Sequence, residues 1–140
     1  MSIFELHPQL RKDSELVVEL SLCEVRLIND ANYPWLILVP KVANIKDVID
    51  LNDSQQQTLW QESALVSKVL KHLFTPDKLN LAALGNMVPQ LHLHLIARFK
   101  DDVSWPNPIW GKVAAKPYSA SEMADRINLI KTEITARNLP

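Results

Sequence analysis

The sequence predicts an α+β fold: an antiparallel sheet of about five strands, a long helix across one face, and a further helix at the C-terminus. Three observations predict it. A stretch starting at Gln90 alternates strictly between polar and apolar residues, as a strand does. Two strand-like runs, residues 23–29 and 35–39, flank the turn-forming run Asp30-Ala31-Asn32-Tyr33-Pro34. Two later stretches, ending near Phe74 and near Arg137, carry cap signals followed by apolar residues at helical spacing. The 140 residues suit one domain, with its core over residues 16–111 and a terminal helix over 119–137. With only two glycines, a turn-rich all-β barrel is disfavoured.

Taken in order, Phe4, Leu6 and Leu10 suggest a short N-terminal helix, bent at His7-Pro8. His7 reads as structural or exposed. Residues 16–22 suggest a first strand. Residues 23–29 suggest a second, with Val25 and Leu27 on one face and Glu24, Arg26 and Ile28 on the other. Trp35-Leu36-Ile37-Leu38-Val39 is apolar throughout and stops at Pro40, which fits a central strand covered on both sides. It would pair antiparallel with its predecessor.

A short helix is expected over residues 45–51. Asn52 or Asp53 then caps a longer one, and Asp53-Ser54-Gln55-Gln56 has capping-box spacing. Leu59, Ser63, Val66, Val69, Leu70 and Leu73 form its apolar stripe, Trp60 flanks it, and Pro76 closes it. His72, near its end, reads as a surface residue. Residues 78–84 form another strand, followed by a loop at Gly85-Asn86 and a strand opened by Pro89. On that strand Gln90, His92 and His94 share one face, with side chains spaced about 7 Å, and Leu91, Leu93 and Leu95 share the other. Trp105-Pro106-Asn107-Pro108-Ile109-Trp110-Gly111 is stiff and apolar, fitting either an interface or a strap on its own core. Ser119-Ala120-Ser121-Glu122 is a capping box, and Met123, Ile127, Ile130 and Ile134 form one face of the last helix.

The formal charge of −1 leaves no basic footprint for nucleic acid. The lone Cys23 precludes an internal disulfide, argues against a thiolate zinc site, and fits a reducing compartment. Residues 1–12 lack a signal-peptide core, and no run of about 18 apolar residues exists to span a membrane. The expectation is a soluble, cytoplasmic protein with neither nucleic-acid nor membrane partners.

The polar face of the His-x-His strand admits three readings: a half-exposed strand, two ligands of a metal site that needs a third and a fourth, or nucleophilic catalysis by an imidazole. Context separates them. Gln90-Leu91-His92-Leu93-His94-Leu95-Ile96 resembles the signature of the histidine-triad (HIT) nucleotide-binding superfamily: His, apolar, His, apolar, His, apolar, apolar. Gly85-Asn86-Met87-Val88 resembles the loop before it, and residues 35–41 resemble the family strand ending in Pro-Lys. The chain departs at the first triad position, where Gln90 stands for histidine.

The resemblance covers residues 23–111. It implies a HIT-like fold and a nucleotidyl hydrolase or phosphoramidase acting on a purine nucleotide or nucleotide conjugate, with no metal and no cofactor. His92 would be the nucleophile toward the α-phosphorus, one ring nitrogen held by the backbone carbonyl of position 90. His94, protonated, would stabilise the developing charge. Gly85, Asn86 and Gln90 would bind phosphate, and Asn29 with Asp30 the ribose. The family also implies a homodimer, with residues 105–110 reaching the partner. Two alternatives stay open: a nucleotide-binding regulatory module with little turnover because of Gln90, and a metal-binding His-x-His protein.

Overall fold

The computed structural model describes residues 2–138. Five strands, β1 (Ser14–Glu19), β2 (Cys23–Ile28), β3 (Trp35–Pro40), β4 (Lys78–Ala83) and β5 (Leu93–Arg98), form one sheet in the order β1-β2-β3-β5-β4. Every neighbouring pair is antiparallel. Helices α1 (Pro8–Asp13), α2 (Asp53–Phe74) and α3 (Ala120–Arg137) complete the fold.

The period-two alternation assigns the two faces. Val25, Leu27, Leu36, Leu38, Leu93 and Leu95 join the apolar stripes of α2 and α3 in the main core. Leu59, Val66, Val69 and Leu70 come from α2, and Met123, Ile130 and Ile134 from α3. The opposite face is also covered. Leu6 and Leu10 pack on Ile37 and Val39, while Tyr33, Ile96 and Ile109 form a separate cluster with Trp35 and Trp110 beside it. That is why β3 can be apolar throughout: it is the third of five strands, and both its faces are buried.

Several local expectations shift. The first strand begins at Ser14 and ends at Glu19, because Leu20 turns back, its N–H donating to the Cys23 carbonyl at 2.8 Å. The buried Glu62 of α2 accepts the N–H groups of Leu22 and Cys23 at that turn, both at 2.9 Å. This polar partner is absent from the apolar-stripe reading. Helix α2 is capped by Asn52 and not by Asp53. Asn52 Oδ1 accepts from Gln55 N–H at 2.8 Å and Gln55 Oε1 from Asn52 N–H at 2.9 Å, which places the box one residue earlier. Residues 45–51 make only a 3₁₀ turn, Val48–Asp50, closed by a box between Asp47 and Asp50.

The histidine strand also starts later, at Leu93 and not at Gln90. Pro89 has no N–H, Leu91 N–H donates to the Ile45 carbonyl at 2.9 Å outside the sheet, and β4 has run out at Ala83, opposite Leu93. Residues 84–92 are therefore a loop. Gly85 turns it with φ +83°, where a Cβ would stand 3.2 Å from the Val88 carbonyl oxygen.

Candidate active site

Above the covered face, between α1, the loop before β5 and the tryptophan strap, lies a cavity of about 640 Å³. His92 and His94 line it, together with Gly85 and Asn86 of the loop before β5 and Asn29 and Asp30 of the β2–β3 connection. Six of the seven residues read from the sequence thus meet at one cavity. Gln90 does not line it.

His92 comes from the loop and His94 from β5, and their ring centroids are 4.9 Å apart, edge to face. Both residues are largely buried, 7% and 6% exposed. Each ring has one nitrogen engaged, and the two partners differ in kind. His92 Nδ1 lies 2.7 Å from the carbonyl oxygen of Gln90. A carbonyl only accepts, so Nδ1 carries the proton and, in the neutral ring, Nε2 is a bare lone pair. His94 Nδ1 accepts the indole N–H of Trp35 at 2.9 Å. An indole only donates, so His94 Nδ1 is bare and its proton sits on Nε2. Burial, and then the proximity of His92, lowers the His94 pKa from 6.5 to about 4. His94 is therefore neutral near pH 7 and presents an N–H donor, which corrects the expectation of a protonated ring.

The other polar groups are partly committed. Asn29 Oδ1 accepts from Tyr118 N–H at 2.9 Å. Asp30 Oδ1 accepts from Asn32 N–H at 3.0 Å and Lys116 N–H at 3.2 Å. These bonds fix both side chains by one oxygen each. Among the described residues, Asn29 Nδ2 and Asp30 Oδ2 make no hydrogen bond.

The tryptophan strap folds on its own chain. Trp110 stands edge-on to His94 at 5.1 Å and to Trp35 at 6.4 Å, and Ile109 is buried. A buried ion pair anchors it: Asp102 takes Arg98 Nε and Nη2 at 2.8 and 3.1 Å, and also accepts from the N–H groups of Phe99, Ser104 and Trp105. Arg98 lies 5.7 Å from the ring centres of both Tyr33 and Trp105. Trp110 thus packs in cis, on Trp35 and His94 of its own chain.

Sequence reasoning missed Trp35 and Trp110 as site residues, along with the cavity wall of Leu10, Lys12 and Asp13. Trp35 read as one more apolar residue of a buried strand. Its place beside His94 depends on the β3–β5 register, which pairs it with Ile96. Among the described residues, no group of three or more His, Cys, Asp or Glu side chains stands ready to hold a metal ion. Nor is any helix long and apolar enough to cross a membrane.

The HIT domain family model matches residues 9–101. A histidine triad protein of Bradyrhizobium japonicum is 43% identical, with 95% of this chain and 99% of that chain covered and a TM-score of 0.92. One from Marinobacter aquaeolei is also 43% identical, covering 96% and 98%, with a TM-score of 0.93. A diadenosine triphosphate hydrolase of Plasmodium falciparum shares the fold at 18% identity, covering 96% and 84%, with a TM-score of 0.63. No curated protein matches the chain. A fold of this topology, with paired histidines at one cavity, defines the class: the chain belongs to the HIT domain family.

Proposed function

We propose that this protein is a nucleotidyl hydrolase, acting on purine nucleoside phosphoramidates or dinucleoside polyphosphates through a covalent intermediate on His92. The observation that carries the reading is the opposed state of the two rings. His92 offers a lone pair on Nε2, and His94 offers a proton on Nε2, 4.9 Å away between ring centres at the same cavity. A nucleophile beside a hydrogen-bond donor is what an in-line attack on phosphorus requires.

In the first step His92 Nε2 attacks the α-phosphorus. An N–P bond forms, the P–N or P–O bond to the leaving group breaks, and the leaving group departs with its electron pair, taking a proton from water. The His94 N–H stabilises charge on a phosphoryl oxygen through the transfer. As Nε2 bonds to phosphorus the ring becomes cationic, and the Gln90 carbonyl holds its Nδ1–H more strongly. In the second step water attacks the phosphorus, and the N–P bond breaks with its electron pair returning to His92 Nε2. The proton released by that water neutralises the hydroxide left from the first step, and a nucleoside monophosphate leaves with His92 again neutral. The ribose hydroxyls are bound by Asn29 Nδ2 and Asp30 Oδ2, and the phosphoryl oxygens by Asn86 and the loop amides. The fold shared with a diadenosine triphosphate hydrolase accords with that leaving-group class.

The backbone carbonyl at position 90 survives any change of side chain, so the glutamine leaves the orientation of His92 intact. This favours turnover over a binding-only module. The test is to mix the protein with adenosine 5′-phosphoramidate, quench in acid-free buffer, and search for an adenylyl mass on His92. Absence of any adduct, together with equal turnover by the native protein and His92→Gly, sinks the reading.

A further inference from the structure

The side chain of Gln90 is the one polar side chain of the signature that the chemistry above does not use. That side chain is nonetheless engaged through both its oxygen and its nitrogen, with a stretch of chain more than eighty residues away. Oε1 accepts from His7 N–H at 2.8 Å, and Nε2 donates to the Glu5 carbonyl at 2.8 Å. A primary amide has an oxygen and an N–H directed to the same side. It can therefore grip the C=O of one residue and the N–H two residues on, as a neighbouring strand would. Histidine cannot make this pair of bonds, because its two ring nitrogens point away from each other.

The stretch so gripped leads directly into the cavity wall. His7 Nδ1 accepts from Gln9 N–H at 3.0 Å and caps α1. Leu6 and Leu10 anchor the segment on Ile37 and Val39. Leu10, Lys12 and Asp13 then line the cavity, and the Asp13 carbonyl accepts from Asn29 N–H at 2.9 Å. Meanwhile the Gln90 backbone oxygen holds His92. One residue thus fastens the wall by its side chain and the nucleophile by its main chain.

We propose that Gln90 is a positioning residue whose side chain docks residues 5–7, and with them the α1 wall of the cavity, in register with His92. Glutamine at this place is a docking feature of this chain and not the loss of a catalytic group. The kinetic part rests on the nucleotide-hydrolase reading; the docking part does not.

The experiment compares the full-length protein with Gln90→Ala and Gln90→His. Three quantities are measured: amide hydrogen exchange at His7 and through α1, affinity for adenosine monophosphate, and kcat and KM with adenosine 5′-phosphoramidate. Both variants are expected to speed exchange at His7 by about tenfold, the size of one lost hydrogen bond. Affinity should weaken about three- to tenfold and KM rise in step, with kcat moving less, since the carbonyl that holds His92 remains. Unchanged exchange at His7 in Gln90→Ala overturns the proposal. So does faster exchange with unaltered affinity, which shows that the wall does not depend on the grip. A Gln90→His variant that gains about tenfold in kcat while keeping slow exchange overturns it as well. If the native protein turns nothing over, the hydrolase reading falls alone, and exchange with nucleotide affinity still decides this one.

Discussion

Trp35 and His94 are joined by a hydrogen bond from the indole Nε1–H to Nδ1 of the imidazole, 2.9 Å long, reaching between neighbouring strands of the sheet. The bond places the N–H proton of neutral His94 on Nε2. Adding a second proton would set an N–H against an N–H. Trp35→Phe removes the donor and keeps most of the ring packing. The ring ¹⁵N spectrum of His94 should then show a mixture of tautomers, and kcat/KM should fall about tenfold, the size of one hydrogen bond. An unaltered spectrum would mean that the indole does not set the proton's place.

The low pKa of His94 has a consequence for stability. Burial and His92 hold the folded-state value at about 4, against 6.5 in the unfolded chain. Between these values the unfolded chain binds more protons than the folded one, so this residue makes the protein less stable as pH falls from about 6.5 to 4. Urea denaturation at about pH 7 and pH 5 should show a drop that is smaller in His94→Gln. In the native protein, the ring carbons of His94 should show no titration between about pH 5.5 and 8 by NMR.

The Arg98–Asp102 pair should be costly to break from one side. Arg98 is 1% exposed. Burial alone would raise the Asp102 carboxyl, but the Arg98 guanidinium and the N–H groups of Phe99, Ser104 and Trp105 outweigh it and bring the pKa to about 2. Asp102→Asn leaves a buried guanidinium without its counter-charge and should lower stability by roughly 3–5 kcal/mol, read from the urea midpoint. The Trp110 emission spectrum should shift red, because the strap that seats this ring loses its anchor. A loss of less than about 1 kcal/mol would show that the strap is not held this way.

Cys23 should be inert while the protein is folded. Burial, with the Glu62 carboxylate next in weight, pushes its thiol far above the ordinary range. Iodoacetamide at about pH 8 should label it only as fast as the chain unfolds, so urea should accelerate labelling in parallel with the loss of helical signal. Rapid labelling of the native protein would place Cys23 nearer solvent than the fold allows.

Much of this architecture was legible from local patterns. The alternation that runs through β5 separates Leu93 and Leu95 from His94. The stripe of α2, its stop before Pro76 and the Ser119–Glu122 box all occur as read. The errors fall at edges. Asn52 and Asp53 are both good caps, and only the backbone path shows which of them leaves helical geometry. Gln90 and His92 continue the alternation of β5, yet lie outside its ladder because β4 ends at Ala83.

Caps, periodicity and the sharing of a face by alternate residues are encoded locally, since each depends on one helical turn or one strand pleat. Neighbours a few positions apart were enough to specify them. Contacts between residues 59 to 89 positions apart required the folded chain: Trp35 with His94, Gln90 with His7, and Asn29 with Tyr118. No local spacing encodes such pairs. They arise when sheet register and core packing bring distant backbones within hydrogen-bond reach, and they set which nitrogen of His94 carries the proton and which wall bounds the cavity.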